Sequence, residues 1–353
     1  MTAATVTSRR VKGVGELARR YPWETLLLGL LVVTIVYNLA NSTNYLGVDN
    51  LINLFKLSIE KAIVVVIMAF CVIAGEIDLS VASTMGLGAA VLATLHGQTA
   101  VPFALAVLLA IGVGAVSGLI QGAIVAKLGI PSLVVTLAGL IGLRGAARVF
   151  LEDRSVGGFP GWFGDLGRDG LIGPIPLSLL IFFGGLAAGA VVLSRTALGR
   201  RLYVIGDSAD VARYAGVHVD RIRIGLFVTS GTVAALAGVL YAARLGSVRG
   251  DMAQGFELDI VTMVLLGGVS IFGGTGTMVG VGLAVFVVLN VRNGLGLANV
   301  EANTQTGVVG AILIASVLVR NLLDSAAGGA SPAPRPARRW RFPRRAPRGK
   351  PSH

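Results

Sequence analysis

Residues 59–95 decide the fold class, and they read IEKAIVVVIMAFCVIAGEIDLSVASTMGLGAAVLATL. Two apolar runs, Ile59–Ala74 and Val81–Leu95, flank the short polar stretch Gly75–Ser80. A bilayer core of roughly 30 Å is crossed by about 20 mostly apolar helical residues, and by fewer where the flanks help. The two runs therefore predict a pair of membrane helices joined by a polar break.

The rest of the chain repeats this pattern. Of 353 residues, 54% are hydrophobic and 14% are charged, whereas soluble domains average about 25% charged residues. This composition excludes most soluble enzymes and predicts an all-α, polytopic membrane protein with about ten transmembrane helices, some of them short or broken. The ten predicted spans are Thr25–Ala40, Ile59–Ala74, Val81–Leu95, Pro102–Ala126, Ser132–Phe150, Leu171–Ser194, Ile222–Ala243, Asp259–Phe272, Met278–Arg292 and Thr306–Leu322.

The charge distribution predicts the topology. The net charge of +12 comes mostly from the two ends of the chain, residues 1–24 and 324–353. Basic residues stay on the cytoplasmic side of a membrane, so an even number of spans places both termini in the cytoplasm. We therefore predict a basic N-terminal segment (1–24), a membrane domain (25–323) and a disordered, Pro/Arg-rich cytoplasmic tail (324–353) that lies near anionic lipid. The basic residues flank apolar spans rather than covering a folded face, which argues against nucleic-acid binding.

Several kinds of chemistry have no matching residues. The chain lacks the phosphate-binding loop motif of ATPases and the dinucleotide-binding motif. One cysteine and three dispersed histidines argue against a metal site, and facing spans carry no catalytic cluster. We expect no cofactor, no metal and no catalytic residues in this chain.

Close helix packing is predicted from glycine. The chain has 49 glycines, roughly twice the average usage. Gly114, Gly118 and Gly122 form a stripe of small residues at every fourth position, which lets two helices approach closely. We interpret this stripe as internal packing of the bundle.

The polar break carries two carboxylates, Glu76 and Asp78. A carboxylate costs about 2.5–3.5 kcal/mol at the centre of a membrane helix, so both must face water, a partner or a helix end. Two interpretations stay open: an ordinary capped turn, in which Asp78 or Ser80 caps the following helix, or a hinge that lines a pathway.

The central loop, residues 195–221, holds basic and acidic side chains. Its stretch Asp210–Ala215 can form a short helix, with Ser208 as N-cap and Gly216 as the stop. Such a helix is a plausible docking element for a soluble partner, although a solvated loop is the alternative. A further segment, Gly267–Thr277, has five glycines in eleven residues and predicts a tight turn or a close backbone approach.

Together these segments resemble the membrane permeases of ribose-type ABC sugar importers over residues 24–323. The matching stretches are Gly75–Ser80, Ile130–Leu137, Arg144-Gly145, Thr196–Gly216 and Gly267–Gly276. In the coupling motif of importer permeases, E-A-A-x-x-x-G, Asp210 replaces the glutamate and Val211 the first alanine, while Ala212 and Gly216 match. Glu76 stands where many relatives are thought to have glycine.

The resemblance implies a bacterial inner-membrane subunit that transports a sugar. It implies pairing with a second permease, docking of a cytosolic ATPase on 195–221, and delivery of substrate by an extracytoplasmic solute-binding protein; ATP is used by the partner. The residues implied in coupling to the ATPase are Thr196, Gly199, Arg200, Asp210, Ala212, Arg213 and Gly216. The glycines of the predicted turn are Gly267, Gly268, Gly273, Gly274 and Gly276.

A neutral sugar needs a polar path without fixed charge. The candidate path or hinge residues are Glu76, Asp78, Ser80, Ser83, Thr84, Gln121, Thr136 and Asn290. Two other functions stay open: an ion-coupled secondary transporter that uses Glu76 and Asp78 as its ion site, and a membrane enzyme acting on lipid-linked sugars.

Overall fold

The computed structural model describes residues 21–56, 58–99, 101–152, 154–168 and 176–326. Within these ranges the chain forms fourteen helices and one two-stranded sheet, which confirms the all-α prediction. The helices are α1 (Pro22–Asn41), α2 (Val48–Lys56), α3 (Ile59–Ile73), α4 (Val81–Gln98), α5 (Phe103–Leu128), α6 (Ser132–Leu151), α7 (Gly161–Arg168), α8 (Leu177–Arg195), α9 (Ala197–Asp207), α10 (Ala209–Tyr214), α11 (Val219–Leu245), α12 (Phe256–Leu266), α13 (Met278–Leu297) and α14 (Ala302–Ala326).

The chain divides into two compact units, one up to Leu313 and one from Ile314 onward. The first unit holds α1 to α13 and the start of α14, and the described part of the second is the remainder of α14. Most of the predicted N-terminal segment 1–24 and nearly all of the tail 324–353 lie outside the described residues.

Seven helices of the described chain are long and apolar enough to cross a membrane, which supports a polytopic protein but not the predicted count of about ten. They are α1, α5, α6, α8, α11, α13 and the Ala302–Val319 part of α14. Of the other three predicted spans, α3 has 15 residues, α12 has 11, and α4 is a shorter apolar helix over Val81–Gly97.

Glycines explain why two of these helices are short. Gly75 (φ 80°) follows the end of α3, and Gly255 (φ 85°) precedes the start of α12. Side-chain-bearing residues rarely adopt this left-handed conformation, so each glycine marks a helix boundary. At the other end of α12, the predicted span Asp259–Phe272 was wrong. The helix stops at Leu266, and the following residues form a turn in which Gly268 has φ 85°.

The small-residue stripe of α5 packs against α11. A Cβ at Gly118 would lie 2.1 Å from the carbonyl oxygen of Phe227, and a Cβ at Gly231 would lie 2.1 Å from the carbonyl oxygen of Gly114. Neither position accepts a larger residue without separating the helices. The interpretation of the stripe as internal packing is confirmed.

Helix α3 lies at the centre of the main apolar core, and all of its 15 residues are buried. Helices α8, α11, α12 and α13 pack around it. A second apolar cluster includes the C-terminal part of α4 and residues of α5, α6 and α11. A helix that is apolar around its whole circumference is typical of the interior of a large or membrane-embedded bundle.

Buried charges gather where α3 begins. We call them the ion-pair cluster, and its members are Glu60, Lys61, Arg144, Arg244, Glu257, Asp259 and Arg292. Nearby, a short antiparallel sheet pairs β1 (Val156–Gly157) with β2 (Ser247–Val248), the latter directly after α11. Because α3 runs from the ion-pair cluster to the acidic break, these two polar regions mark opposite ends of the core.

Candidate functional site

The acidic break is the stretch Gly75–Ser80 between α3 and α4. Its start is a glycine-terminated helix end, in which the Glu76 N–H donates to the Cys71 carbonyl at 2.9 Å and the Gly75 N–H donates to the Val72 carbonyl at 2.9 Å. Such bonds satisfy helix carbonyls that have no partner within the helix. The break is therefore an ordered turn at a fixed position rather than a loose connection.

Asp78 is the centre of this turn. One carboxylate oxygen accepts hydrogen bonds from the Ser80 N–H at 3.0 Å and the Ser80 hydroxyl at 2.6 Å, and the other accepts from the Ser230 hydroxyl at 2.7 Å. Asp78 is 2% exposed. Asp78 thus orders the turn before α4 by accepting from the N–H of Ser80, the N-cap residue, while no side chain caps α4 itself. The bond to Ser230 joins this turn to α11, a contact that local sequence does not predict.

Glu76 is held by a cation. Its carboxylate lies 2.6 Å from the Arg223 guanidinium on α11. On the other side of the break, Thr136 of α6 donates its hydroxyl to the Ile77 carbonyl at 3.1 Å, and the Ile77 N–H donates to the Ser132 hydroxyl at 3.3 Å. The acidic break is thus bonded to α11 on one side and to α6 on the other.

Gln121 lies beside the break on α5. Its side-chain oxygen is buried and has no hydrogen-bond partner among the described residues. It borders a groove of about 550 Å³ between α5 and α6, whose other polar member is Ser117 and which is otherwise lined by apolar residues and Gly139. A buried carbonyl oxygen without a donor is costly, so the hydrogen bonding of Gln121 is incomplete within the described residues.

The predicted coupling segment, residues 195–221, folds into two short helices. Thr196 caps α9 by accepting the Gly199 N–H at 3.2 Å, and Ser208 caps α10 by accepting the Val211 N–H at 3.4 Å. Gly216 has φ 79° and ends α10. The predicted short helix, its Ser208 cap and its Gly216 stop are confirmed.

The surface of α10 carries charge and an exposed aromatic ring. Arg213 lies 3.5 Å from Asp210 and 3.1 Å from Asp220, and all three are solvent-accessible. Ala212 lies on the inner face of α10 and is buried against Ile205 and Val219, while Tyr214 is 93% exposed. Arg200 is also exposed, on α9. Exposed ion pairs add little stability, so these charges remain available to a partner.

The glycine turn, Gly267–Gly276, packs against both of the other segments. The Gly274 N–H donates to the Ile73 carbonyl at 2.9 Å at the end of α3. A Cβ at Gly206, near the end of α9, would lie 1.9 Å from that same Ile73 oxygen and 2.4 Å from the Gly274 nitrogen. A Cβ at Gly273 would lie 2.9 Å from Gly75. We call this three-way backbone contact the coupling junction.

Side chains at the edge of the coupling junction reinforce it. The Tyr203 hydroxyl on α9 donates to the Gly276 carbonyl at 2.8 Å, and burial raises the pKa of this phenol, so it stays protonated as the donor. The Trp23 indole N–H at the start of α1 donates to the Leu266 carbonyl at 3.0 Å. The Thr277 hydroxyl donates to Glu24 at 2.7 Å and caps α13 through the Gly280 N–H.

The predicted path residues divide into two places. Glu76, Asp78, Ser80, Thr136 and Gln121 lie together around the acidic break, with Ser83 bonded to the Leu140 carbonyl and Thr84 to the Ser80 carbonyl nearby. Asn290 lies elsewhere, where its backbone carbonyl accepts from Asn38 at 2.9 Å and its side chain bonds Tyr45. Sequence reasoning missed Ser230, Arg223 and Gly206, whose roles depend on contacts with distant parts of the chain.

The described chain is thus a bundle of apolar helices, seven of them long enough to cross a membrane, in which α9 packs directly on the break between two core helices. Residues 50–317 match the family described as branched-chain amino acid transport system / permease component, and the chain belongs to this family. The predicted membership of an importer permease family is therefore confirmed, and the chain is a multi-pass inner-membrane transport component rather than an enzyme.

Two similar proteins carry the same name, autoinducer 2 import system permease protein LsrD. The one from Photorhabdus laumondii is 33% identical over 319 residues, which cover 87% of this chain and 93% of that protein. The one from Yersinia pseudotuberculosis serotype O:3 is 34% identical over 317 residues, with the same coverage. No solved structure matches the chain.

Proposed function

We propose that this chain is the permease of an ATP-driven importer for a sugar or a sugar-like, hydroxyl-rich solute, and that it couples to its ATPase through α9 and α10. The coupling junction carries the proposal, because α9 contacts the end of α3 and the glycine turn through backbone atoms, without intervening side chains. A force applied to α9 would reach two core elements directly. The names of the relatives, which are import system permeases for autoinducer 2, support the class of solute.

The exposed surface of α10 is the part that we assign to ATPase docking. Asp210, Arg213 and Tyr214 face outward, while the buried Ala212 holds the helix on the bundle. Thr196 and Gly199 fix the start of α9, where a Cβ at Gly199 would lie 2.4 Å from the Leu193 carbonyl oxygen. The partner supplies ATP hydrolysis, and we assign no cofactor to this chain.

The residues around the acidic break form the proposed path or hinge. Gln121 borders the α5–α6 groove, and Ser80 and Thr136 lie at the acidic break beside it, where their hydroxyls bond Asp78 and the Ile77 carbonyl. Because the groove is open on one side and lined mainly by apolar residues, we propose that a second permease, identical or homologous, closes it. A solute-binding protein delivers substrate at the opposite end of the bundle.

We also propose ten membrane crossings, with both termini and the coupling segment in the cytoplasm. Helices α3 and α4 are short but lie inside the bundle, where other helices cover them, and α12 continues into the glycine turn. Reporter fusions in 249–251 and after residue 326 test the topology: the first should report the outer side of the membrane and the second the cytoplasm.

The ion-coupled alternative is less well supported by the geometry. Glu76 is neutralised by Arg223, and Asp78 has three hydrogen-bond donors. Both carboxylates therefore already have partners, whereas a coupling ion needs carboxylate oxygens that are free to bind it. Collapse of the ion gradient discriminates between the two functions, since an ATP-driven importer continues while ATP lasts.

The test is reconstitution of the permease in proteoliposomes with its ATPase and binding protein, with D-ribose and autoinducer 2 as probes. Deletion of 210–216, or Gly216→Pro, should leave the permease inserted but abolish co-purification of the ATPase, because α10 loses its shape. Gly225→Ala on α11, outside α9 and α10, where an added Cβ would meet no atom within 4 Å, is the control and should retain the ATPase. Uptake that continues without the ATPase would refute the proposed function.

A further inference from the structure

Helix α12 connects the two ends of the core. It begins at Phe256, beside the ion-pair cluster, and ends at Leu266, where the glycine turn of the coupling junction begins. Its 11 residues span about 16 Å at 1.5 Å per residue. A displacement of the glycine turn therefore moves the carboxylates of the first turn of α12, Glu257 and Asp259.

Asp259 binds helices that already pack along α12. Lys61 of α3 lies 2.6 Å from one carboxylate oxygen, and Arg292 of α13 lies 2.7 Å from the other. Helices α3 and α13 also contact α12 along its length through apolar residues. The Asp259 pairs therefore hold together one group of helices that already shares the main apolar core.

Glu257 binds across to a different group. Its two oxygens each lie 3.2 Å from the Arg144 guanidinium on α6. Helix α6 contributes Ala147 and Leu151 to the second apolar cluster, whereas α12 contributes Ile260 and Met263 to the main core. The Arg144–Glu257 pair thus joins a helix of the second apolar cluster, α6, to a helix of the main core, α12.

This bridge is suited to opening. The side chains of Arg144 and Glu257 are 17% and 10% exposed, so water reaches both charges. In an ion pair of this kind the desolvation cost offsets much of the attraction, and the net stabilisation is small. Next to Arg144, a Cβ at Gly145 would meet no atom within 4 Å, so the face of α6 that carries Gly145 is open beside the ion pair.

We propose that the Arg144–Glu257 ion pair is a latch at the end of the permease opposite the coupling junction, and that it opens and closes as α12 transmits the movement of α9. This inference rests on the proposed function. Arg144 and Glu257 act here as positioning residues, because they set the separation of α6 and α12 and are not assigned contact with solute.

Cross-linking tests the latch without any solute. Arg144→Cys and Glu257→Cys are combined in a Cys71→Ala background, assembled with the ATPase in proteoliposomes, and treated with a bifunctional methanethiosulfonate reagent that a reductant cleaves. We expect the cross-linking yield to differ about fivefold or more between the nucleotide-free state and the state trapped with ATP and vanadate, since coupling between sites is typically of at least this size. The cross-link should also lower ATP hydrolysis, and the reductant should restore it.

The matched control is the pair Glu60→Cys and Arg244→Cys. Their ion pair, at 2.8 Å, joins α3 to α11, two helices that pack together along the core. We expect its yield to be the same in both states and hydrolysis to be unaffected. Where a cysteine pair fails to fold, the single variant Gly145→Cys provides a second measurement: a membrane-impermeant maleimide should label it at different rates in the two states.

The outcomes separate the two proposals. If the wild-type chain does not assemble with the ATPase, the proposed function fails and the latch fails with it. If assembly and hydrolysis are normal but cross-linking and labelling are the same in both states, the latch alone is refuted. A yield that depends on nucleotide state is not expected from an ion pair that only holds the fold together.

Discussion

Gly206→Ala places a single methyl group in the coupling junction. The added Cβ would lie 1.9 Å from the Ile73 carbonyl oxygen and 2.4 Å from the Gly274 nitrogen. These two atoms form a 2.9 Å hydrogen bond between the end of α3 and the glycine turn. The methyl group therefore fits only if α9 moves away from both segments or if the hydrogen bond between them breaks, and either change is costly in a well-packed core.

The magnitude follows from two costs and one gain. Loss of the buried backbone hydrogen bond costs about 1–3 kcal/mol, and overpacking costs about 1–3 kcal/mol. Replacing glycine by alanine within a helix stabilises the folded state by about 0.5–1 kcal/mol. We expect a net loss of about 1–5 kcal/mol in the free energy of unfolding, together with impaired coupling of ATP hydrolysis to uptake.

The assay compares Gly206→Ala with Gly225→Ala. Gly225 lies within α11 and its Cβ would meet no atom within 4 Å, so this control gains the helix propensity without a clash. Melting of the purified permease is followed by size-exclusion chromatography after heating, and uptake is measured in proteoliposomes. Gly206→Ala should melt at a lower temperature than Gly225→Ala and transport less per ATP hydrolysed. Equal melting and equal coupling of the two variants would refute a close-packed junction.

Two further substitutions test the acidic break and the packing of α5. Asp78→Ala removes the acceptor of the Ser230 hydroxyl; we expect a loss of about 1–3 kcal/mol for a buried donor left unpaired and reduced uptake, with Asp78→Asn retaining more of both. Normal uptake and stability for Asp78→Ala would show that the turn around Asp78 contributes neither to transport nor to the fold. Gly118→Ala pushes a methyl group to 2.1 Å from the Phe227 carbonyl and should lower the melting temperature, whereas Gly112→Ala, with open space around it, should not. Equal melting of these two variants would contradict the close approach of α5 and α11.

The elements that the sequence predicts well are those determined by local chemistry. Each of the ten predicted spans contains a helix, because long apolar stretches leave helix as the structure that satisfies the backbone in lipid. Ser208 and Gly216 were recognised because a cap and a stop act within a few residues. The end of Asp259–Phe272 was misplaced because apolar Val269, Ile271 and Phe272 continue the hydropathy beyond the glycines that end the helix.

Contacts between distant residues could not be predicted in the same way. Lys61 pairs with Asp259 across 198 positions, and Arg244 pairs with Glu60 across 184. The sequence analysis did not predict these pairs, because nothing in the local pattern around one charge indicates which distant residue it contacts. Gly206 likewise lies in an ordinary helical stretch, and its need for glycine comes from the atoms of Ile73 and Gly274.

The two ends of α12 differ in the chemistry that holds them, and this difference indicates where movement is transmitted and where it is released. At the coupling junction, backbone atoms of Gly206, Ile73 and Gly274 are in direct contact, and close-packed atoms transmit displacement because they cannot be compressed. At the ion-pair cluster, side chains of arginine and glutamate make the contact, and they can separate and be hydrated again. A movement that begins at α9 would therefore pass through α12 with little loss and change the structure at the Arg144–Glu257 pair.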